Sequence, residues 1–272
     1  MGLRRLAARA LVRSLVRRDL NPTRPLPRRR AAVDRAARLL PIRRGVTVRE
    51  AGPEFGGSVW CLPPGFEGDL PADGPALLYL HGGGFVLGSA RSHRPVAAAL
   101  AGACRQPVLL LDYPLAPEQS FPAAPQHVLR AWERLSAGGT RPAALALFSP
   151  LLDLGRAVRL GRGDLMLPAG FVAEGIGAFC GSRPPGDPGF ALLDHVGAGL
   201  PPTFLAWDAD ELLAADARRL AAALSAAGVP HRVEEARGLW HAWPLFAGWL
   251  PEANATLRRA AAMLAPMPGP DR

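Results

Sequence analysis

Lysine is absent from this 272-residue chain, although arginine is abundant. All 32 basic residues are arginine, and against 23 acidic residues they give a formal net charge of +9. Such a charge indicates nucleic-acid binding when the basic residues cluster on one face or beside aromatic side chains. Here the arginines are spread along the chain, and their abundance beside alanine, glycine and proline is typical of a GC-rich genome. We therefore expect no nucleic-acid partner.

Cysteine is scarce, with only Cys61, Cys104 and Cys180 in the whole chain. An odd number cannot complete a set of disulfides, and the three residues are too far apart for a metal-binding motif. Their scarcity is typical of a cytoplasmic protein with reduced, buried thiols. We expect no metal site.

Long apolar runs are also missing, since none reaches the ~18–20 residues that span a bilayer. The N-terminus lacks the uninterrupted apolar core and small-residue cleavage site of a secretory signal, which again favours a cytoplasmic location. With 272 residues, 49% of them hydrophobic, the chain can form one α/β domain with a substantial core.

Residues 1–44 have the pattern of an arginine-rich helical segment. Apolar residues recur every four positions, at Leu3, Ala7, Leu11 and Leu15. Arginines recur on roughly the opposite face, at Arg5, Arg9, Arg13 and Arg17. We predict that the apolar face packs on the main domain; the alternative is that it lies on a membrane surface. A second helix is predicted over residues 29–40, ended by Pro41.

Strand and helix patterns alternate through residues 45–272. We predict strands at 46–48, 58–62, 76–80, 108–112, 143–148, 203–207 and 232–234, and helices at 95–104, 125–135, 214–227 and 252–264. Some strand segments are apolar throughout, as in strands buried on both faces. The pattern predicts an α/β fold with a mostly parallel sheet flanked by helices.

Three glycines follow one of these apolar strands, in His81-Gly82-Gly83-Gly84-Phe85. Glycine lets the backbone turn sharply, and backbone N–H groups at the carboxyl end of a parallel sheet can stabilise an oxyanion. A plain turn is the alternative. Two further groups could act with such a loop: His241 near the C-terminus, and the acidic pair Asp210-Glu211 about thirty residues before it.

The chain resembles the bacterial branch of the hormone-sensitive-lipase-like α/β-hydrolases over nearly its whole length. The motifs that carry the resemblance are Leu77-Leu78-Tyr79-Leu80-His81-Gly82-Gly83-Gly84-Phe85, Leu111-Asp112-Tyr113-Pro114-Leu115-Ala116-Pro117-Glu118, Phe148-Ser149-Pro150-Leu151-Leu152-Asp153-Leu154 and Gly238-Leu239-Trp240-His241-Ala242-Trp243. The resemblance implies an α/β-hydrolase fold with the N-terminal helices as a cap. It also implies hydrolysis of short or medium acyl esters without a cofactor.

The resemblance assigns roles to individual residues. Gly83 and Gly84 would donate backbone N–H groups to the oxyanion, while His81, with Gly82, would hold the glycine loop. His241 would be the catalytic base. The spacing favours Glu211 as the acid that orients His241, with Asp210 as the competitor. The alternative for this acidic pair is a helix N-terminus that favours negative charge.

One expected motif is missing, because no Gly-x-Ser-x-Gly occurs in the chain. Ser149 follows Asp112 by only 37 positions, and the predicted loop and helix through residue 135 use most of them. A nucleophile strand and its return helix do not fit in residues 136–142. We predict that this central strand and helix are shortened or missing. The strands at 108–112 and 143–148 would then pair directly or leave a gap.

Two serines could be proposed as the nucleophile. Ser136 lies in Ser-Ala-Gly-Gly, which resembles half of the expected turn, but no strand precedes it, and the alternative is a glycine-terminated helix end. Ser149 is followed by Pro150, which has no N–H to give to an oxyanion hole.

The sequence thus leaves two functions open. One is a carboxylic-ester hydrolase with weak or lost activity. The other is a catalytically inactive, truncated relative that binds a small apolar molecule or a partner. A wrongly assembled gene would give the same pattern as the second.

Overall fold

The computed structural model of the protein describes residues 2–68, 70, 75–136 and 141–265. The strands in these ranges are β1 (Thr47–Glu50), β2 (Val59–Leu62), β3 (Leu77–Leu80), β4 (Val108–Leu111), β5 (Leu145–Phe148), β6 (Thr203–Asp208) and β7 (His231–Ala236). Each strand predicted from the sequence is present, and the strand ends differ from the prediction by at most two residues.

Helices flank these strands. They are α1 (Leu3–Leu11), α2 (Arg17–Asp19), α3 (Leu26–Ala37), α4 (Arg94–Cys104), α5 (Ala123–Leu135), α6 (Leu154–Ala157), α7 (Phe171–Cys180), α8 (Ala214–Ala226) and α9 (Pro251–Leu264). A π-helical turn, Val12–Val16, joins α1 to α2. The sequence analysis did not predict α6 or α7. Helix α7 contains Gly175 and Gly177, which lower helix propensity and hide its pattern.

The strands form two sheets rather than one. The first has the order β1-β2-β4-β3, with β3 and β4 parallel and the other pairs antiparallel. The second is parallel throughout, with the order β5-β6-β7. Strands β4 and β6 lie in the middle of their sheets and are completely buried. That position explains why β4 is an uninterrupted run of Val and Leu.

Strands β3 and β5 are the inner edges of the two sheets. Among the described residues, no strand pairs with the free side of either one. Both line one cavity, and we call the space between them, bounded by Leu77–Leu80 and Leu145–Phe148, the inter-sheet opening. Both strands are only partly buried, and Leu80 is 47% exposed.

Of the two outcomes predicted for the strands at 108–112 and 143–148, direct pairing is wrong. The strand across the opening from β5 is β3 rather than β4. The reason is the strand order, because β4 returns to lie between β2 and β3. The consecutive strands β4 and β5 are therefore not neighbours in space.

Helices, rather than strands, hold the two sheets together. Helix α9 packs against α4 of the first sheet and against β5 and β6 of the second. The buried side chains of Val96 in α4, Leu110 in β4 and Leu257 in α9 belong to one apolar cluster. Because this core is shared, the two sheets are held in place without direct strand pairing.

The first helix packs by a face that the sequence pattern predicted only in part. Ala8 and, in the π-helical turn that follows, Val12 are buried, whereas Leu3 is 86% exposed and Leu15 is also exposed. The predicted apolar face packs on the core at Leu11 but is wrong at Leu3, Ala7 and Leu15. Arginines of the expected solvent face turn toward the protein instead, because carbonyl groups there accept their N–H donors. Among the described residues, no helix is long and apolar enough to cross a membrane.

The open edge of β3 predicts that alanine substitutions at two neighbouring leucines of the sheet will lower the stability of the fold by different amounts. Leu78 of β3 and Leu109 of β4 are register partners in one apolar cluster, but Leu109 is 0% exposed and Leu78 lines the cavity. Leu109→Ala should lower the free energy of unfolding by about 2–5 kcal/mol. Leu78→Ala should cost about half of that or less, because its site is already open. Chemical denaturation measures both, and equal losses would mean that the inner edge is closed in solution.

Candidate active site

A glycine loop follows β3 at the carboxyl end of its sheet. The backbone turns sharply there, with φ angles of 131° at Gly83 and 61° at Gly84. A side chain at Gly83 would collide with the carbonyl oxygen of Leu87. Helix α7 packs directly on the loop, because a side chain at Gly175 would collide with the Gly84 carbonyl. Glycine is thus a steric requirement at these positions.

The N–H groups of Gly83 and Gly84 are the ones in this loop that could stabilise an oxyanion. Within the part of the chain that the structure describes, neither group donates a hydrogen bond, and both residues line the cavity. The Gly82 N–H, by contrast, donates to Nε2 of His93 at 3.3 Å. The arrangement suits the role predicted for Gly83 and Gly84, which stays a prediction.

His81 lies behind the loop and is buried. Its ring stacks on Tyr113 with the centroids 4.1 Å apart, and its Nδ1 lies 2.9 Å from the Gly82 carbonyl oxygen. Burial lowers the pKa of His81, and burial together with His81 lowers the pKa of His93 to about 3. Both rings are therefore neutral near pH 7 and support the loop, which is the kind of position expected for His81.

A carboxylate and an imidazole face each other on the other side of the cavity. Nδ1 of His241 and Oε1 of Glu211 lie 3.5 Å apart, and the Glu211 side chain is completely buried. Neither atom has a hydrogen-bond partner within the described residues. The distance is slightly long for a hydrogen bond, as is common for catalytic pairs without substrate.

The pKa of His241 reflects this pairing. Burial by itself would lower the pKa, but the charges of Glu211 and Asp164 outweigh burial and raise it above its ordinary value. A carboxylate placed in this way holds the ring in one orientation and stabilises its protonated form. The geometry therefore suits a base that takes up a proton during a reaction.

Hydrogen bonds fix the other oxygen of Glu211. Oε2 accepts the Ser149 hydroxyl at 2.7 Å and the Asp208 backbone N–H at 3.2 Å. The Ser149 oxygen in turn accepts the N–H of Ala242 at 2.9 Å. One serine thus links the acid to the residue that follows His241.

Asp210 has a different environment from Glu211. It is exposed, and its backbone N–H donates to the Asp208 carboxylate at 3.2 Å. The other oxygen of Asp208 accepts the N–H of Leu239 at 2.8 Å, which anchors the loop before His241. Of the two acids proposed from the sequence, Glu211 is the one next to His241.

The two candidate serines occupy different positions. The Ser149 hydroxyl is used by Glu211 and Ala242, and the residue has a strained φ of 52° before Pro150. Ser136 is buried where α5 ends, and its N–H donates to the Trp132 carbonyl at 2.9 Å. It lines the same cavity as His241. Residues 137–140, the rest of the turn-like motif, lie outside the described residues.

A cavity of about 1420 Å³ connects the glycine loop, His241 and the inter-sheet opening. Pockets for small molecules typically measure about 300–1,000 Å³, so this one exceeds the usual range. Its lining is mostly apolar. Such a space suits the acyl part of an ester and has room for more.

The N-terminal helices roof the cavity and are tied to both halves of the site. Nη1 of Arg9 donates to the carbonyl oxygens of Gly238 and Leu239 at 2.6 and 3.0 Å, beside His241. Arg30 donates to the Val86 carbonyl at 2.8 Å, beside the glycine loop. The buried guanidinium of Arg29 pairs with Glu174 of α7. These contacts fit the cap expected from residues 1–44, although the domain boundary itself stays a prediction.

Sequence reasoning missed three residues that shape this site. They are Ser149 as the tether of Glu211, Asp208 as the anchor of the His241 loop, and Asp164, which affects the pKa of His241. The sequence did carry a signal for Ser149, because this residue directly follows strand β5, whose end lies beside the end of β6. The position of Asp164 in an irregular segment gave no comparable signal.

Comparisons with known proteins agree with this architecture. A family model described as the alpha/beta hydrolase fold matches residues 77–139 and 134–245. Esterase LipU of Mycobacterium tuberculosis is 32% identical over 268 residues, covering 84% of this chain and 89% of LipU. An acetyl-hydrolase of Streptomyces hygroscopicus is 30% identical and covers 71% of this chain and 76% of its own length.

A solved structure extends the agreement to three dimensions. An esterase from the bacterial hormone-sensitive lipase family is 26% identical, with a TM-score of 0.81 over 95% of this chain and 97% of its own. The chain belongs to the hormone-sensitive-lipase-like α/β-hydrolases, a family of carboxylic-ester hydrolases, and the fold predicted from the sequence is confirmed.

The comparisons also bear on the missing motif. The LipU comparison extends over 268 positions, whereas 84% of this 272-residue chain is about 228 residues, so about 40 positions have no counterpart here. For the Streptomyces enzyme the corresponding values are 227 and about 193, a difference of about 34. The family match is divided at residues 134–139. That the absent positions form a strand and a helix stays a prediction.

The His241–Glu211 pair can be tested by NMR titration of the histidine side chains. We expect His241 to titrate above pH 6.5, and Glu211→Gln to lower its pKa, because burial is then opposed only by the smaller effect of Asp164. Asp210→Asn is the matched control and should leave the His241 pKa unchanged. The opposite result, with Asp210→Asn shifting the pKa and Glu211→Gln not, would make Asp210 the partner.

The same pair predicts a pH dependence of stability. The folded-state pKa of His241 is raised, so the pair stabilises the fold at pH values below the unfolded-state pKa. This contribution is lost as the pH rises through the higher folded-state pKa. In denaturation experiments from pH 5 to 9, the difference in unfolding free energy between the native protein and Glu211→Gln should therefore shrink with rising pH. A difference that grows with pH would contradict the pairing.

Proposed function

We propose that this protein binds short acyl esters beside an acid–base pair and an oxyanion-stabilising loop, and hydrolyses them weakly or not at all. The single observation that carries the proposal is the inter-sheet opening. Glu211 and His241 lie on one side of it and Gly83 and Gly84 on the other, while the described residues hold no serine at a strand-to-helix turn between them.

The acid–base half supports ester chemistry by its geometry. Nδ1 of His241 faces the Glu211 carboxylate, so Nε2 on the far side of the ring is the nitrogen that would exchange a proton with a reacting group. Ser149 and Asp208 hold Glu211 in place. A raised His241 pKa favours proton uptake from a hydroxyl group.

The reaction in a complete site would have two steps. A serine oxygen would attack the ester carbonyl while its proton passes to Nε2 of His241, and the Gly83 and Gly84 N–H groups would stabilise the oxyanion. Collapse would break the ester bond, and the alcohol would leave with the proton from His241. Water, deprotonated by His241, would then hydrolyse the acyl-serine to release the acid and regenerate the serine.

The nucleophile is the part of the site for which the described residues offer no serine at a strand-to-helix turn. The bonds of Ser149 to Glu211 and Ala242, and the Pro150 that follows it, argue against this residue as the nucleophile. Without a positioned serine, residual catalysis would come only from oxyanion stabilisation and binding. In enzymes whose catalytic triad has been removed, oxyanion stabilisation and binding alone accelerate the reaction by about 10³–10⁴-fold over water.

A second candidate is an active esterase with Ser136 as its nucleophile. The observation that favours it is that Ser136 and His241 line one cavity. Against it, Ser136 lies at the end of a helix rather than after a strand, so it lacks the strained turn that exposes a nucleophile.

Labelling with a fluorophosphonate probe, followed by peptide mapping, separates these functions. We expect folded protein to give no label above that of denatured protein. Hydrolysis of p-nitrophenyl butyrate should stay within about 10⁴-fold of the uncatalysed rate. Neither His241→Ala nor Ser136→Ala should lower this residual rate, because it comes from oxyanion stabilisation and binding alone. Cooperative melting of each variant shows that the fold is retained.

Two results would contradict the proposal. A label on Ser136 that is lost in Ser136→Ala would establish the second candidate. Strong hydrolysis that survives Ser136→Ala would place a nucleophile elsewhere in the chain.

A further inference from the structure

The two inner strands have the sequences of central strands. Strand β3 is Leu-Leu-Tyr-Leu and β5 is Leu-Ala-Leu-Phe, without a single charge, proline or glycine. The outer strands differ, since β1 is Thr-Val-Arg-Glu and β7 is His-Arg-Val-Glu-Glu-Ala. Proteins protect true edges with charged residues or proline. The outer edges have that protection. The inner edges lack it, as is typical of strands that pair with a neighbour on both sides.

Backbone hydrogen bonding limits what could fill the inter-sheet opening. In a parallel sheet the N–H and C=O groups of a strand serve neighbours on both sides. Strands β3 and β5 use one side each, for β4 and β6. The remaining groups face the opening, and burying them unpaired would cost free energy. An acyl chain cannot pair with them, whereas an extended peptide can.

The cavity has room for more than a strand. It continues past β3 over helix α5, where Leu129 is 58% exposed and Trp132 also lines the wall. Exposed apolar side chains of this kind on a helix next to an open sheet are a packing surface for another helix. The space therefore fits a strand followed by a helix.

The difference in length from LipU is large enough for such a segment. About 40 positions of LipU have no counterpart here, and a βαβ crossover unit takes about 30 residues or more. The division of the family match at residues 134–139 lies directly after α5.

The connection between α5 and β5 is too short to fill the opening. Residues 136–142 are too few for a strand and a helix. After α9 the sequence has proline at positions 266, 268 and 270, and proline cannot donate to a strand ladder.

We propose that the inter-sheet opening is an acceptor for a strand–turn–helix segment of a separate polypeptide, which pairs with β3 and β5 and packs its helix on α5. The proposal concerns binding and rests on the strand edges. Its catalytic consequence rests on the function proposed above: a serine at the turn of the bound segment would lie between His241 and the glycine loop.

The probe is a synthetic peptide of the LipU segment, up to about 40 residues long, that lies between the parts of LipU that align with α5 and β5. A second peptide replaces the serine at its strand-to-helix turn with alanine. A third carries two prolines in the strand. The native protein is used throughout. We measure its melting temperature and the hydrogen exchange of its amides with each peptide.

The first two peptides should act alike on stability. At about one hundred times the Kd we expect the melting temperature to rise by about 5–10 °C. Exchange should slow in Leu77–Leu80 and Leu145–Phe148, and not in Thr47–Glu50. The proline peptide should have no effect, because it lacks the donors that the edges require.

Several outcomes would overturn the proposal. The absence of any rise in melting temperature with either of the first two peptides would overturn it. A variant with the same segment inserted between Ser136 and Arg141 repeats the test at a segment concentration that does not depend on peptide solubility. Stabilisation only by that insertion would show that the segment must belong to the same chain. A dimer in which both inner edges are already protected would make a second copy the occupant. A co-purified lipid whose removal lowers the melting temperature, without any peptide effect, would make an acyl chain the occupant.

The catalytic consequence has its own readout. Fluorophosphonate labelling of the serine peptide bound to the protein would support both the acceptor and the proposed function. Stabilisation by the serine peptide without any label would support the acceptor and overturn the assigned acid–base and oxyanion roles.

Discussion

The pairing of backbone groups along β3 and β5 is the constraint on which the rest of this structure depends. Within the described ranges each inner strand is bonded on one side only. The strands therefore form two half-sheets that share a core through α4 and α9. The parts of the site follow this division. The glycine loop extends from β3, and Glu211 and His241 follow β6 and β7. Each half keeps its local geometry because each is stabilised by its own sheet.

The helices hold the two halves of the site in position relative to each other, as a continuous sheet would otherwise do. Arg9 bonds to the loop before His241, Arg30 bonds beside the glycine loop, and Arg29 pairs with α7, which packs on that loop through Gly175. The arginines of the N-terminal segment therefore connect the two halves of the site. Their role also accounts for the failure of the predicted packing face at Leu3 and Leu15, because hydrogen bonds to loop carbonyls, rather than burial of these leucines, orient the first helix.

Most of the fold could be predicted from the sequence because its strands are short apolar runs separated by helices with clear starts and stops. The site was predictable where the backbone requires one residue type, as it requires glycine in the sharp turn after β3. It was not predictable where the answer depends on spatial neighbours. The strand order places β3 beside the opening, and the Ser149 hydroxyl becomes a tether only because the ends of β5 and β6 are adjacent.

The well-formed Glu211–His241 pair does not by itself indicate turnover. A carboxylate buried as completely as Glu211 needs hydrogen-bond donors or a cation to remain charged. Ser149, the Asp208 N–H and His241 supply these whether or not a nucleophile is present. Removing any of them would leave a buried charge without compensation, which costs several kcal/mol in typical proteins. Folding alone can therefore preserve this pair after the chemistry has been lost, and only a hydroxyl group positioned opposite His241 would distinguish an enzyme from a scaffold that retains its acid and base.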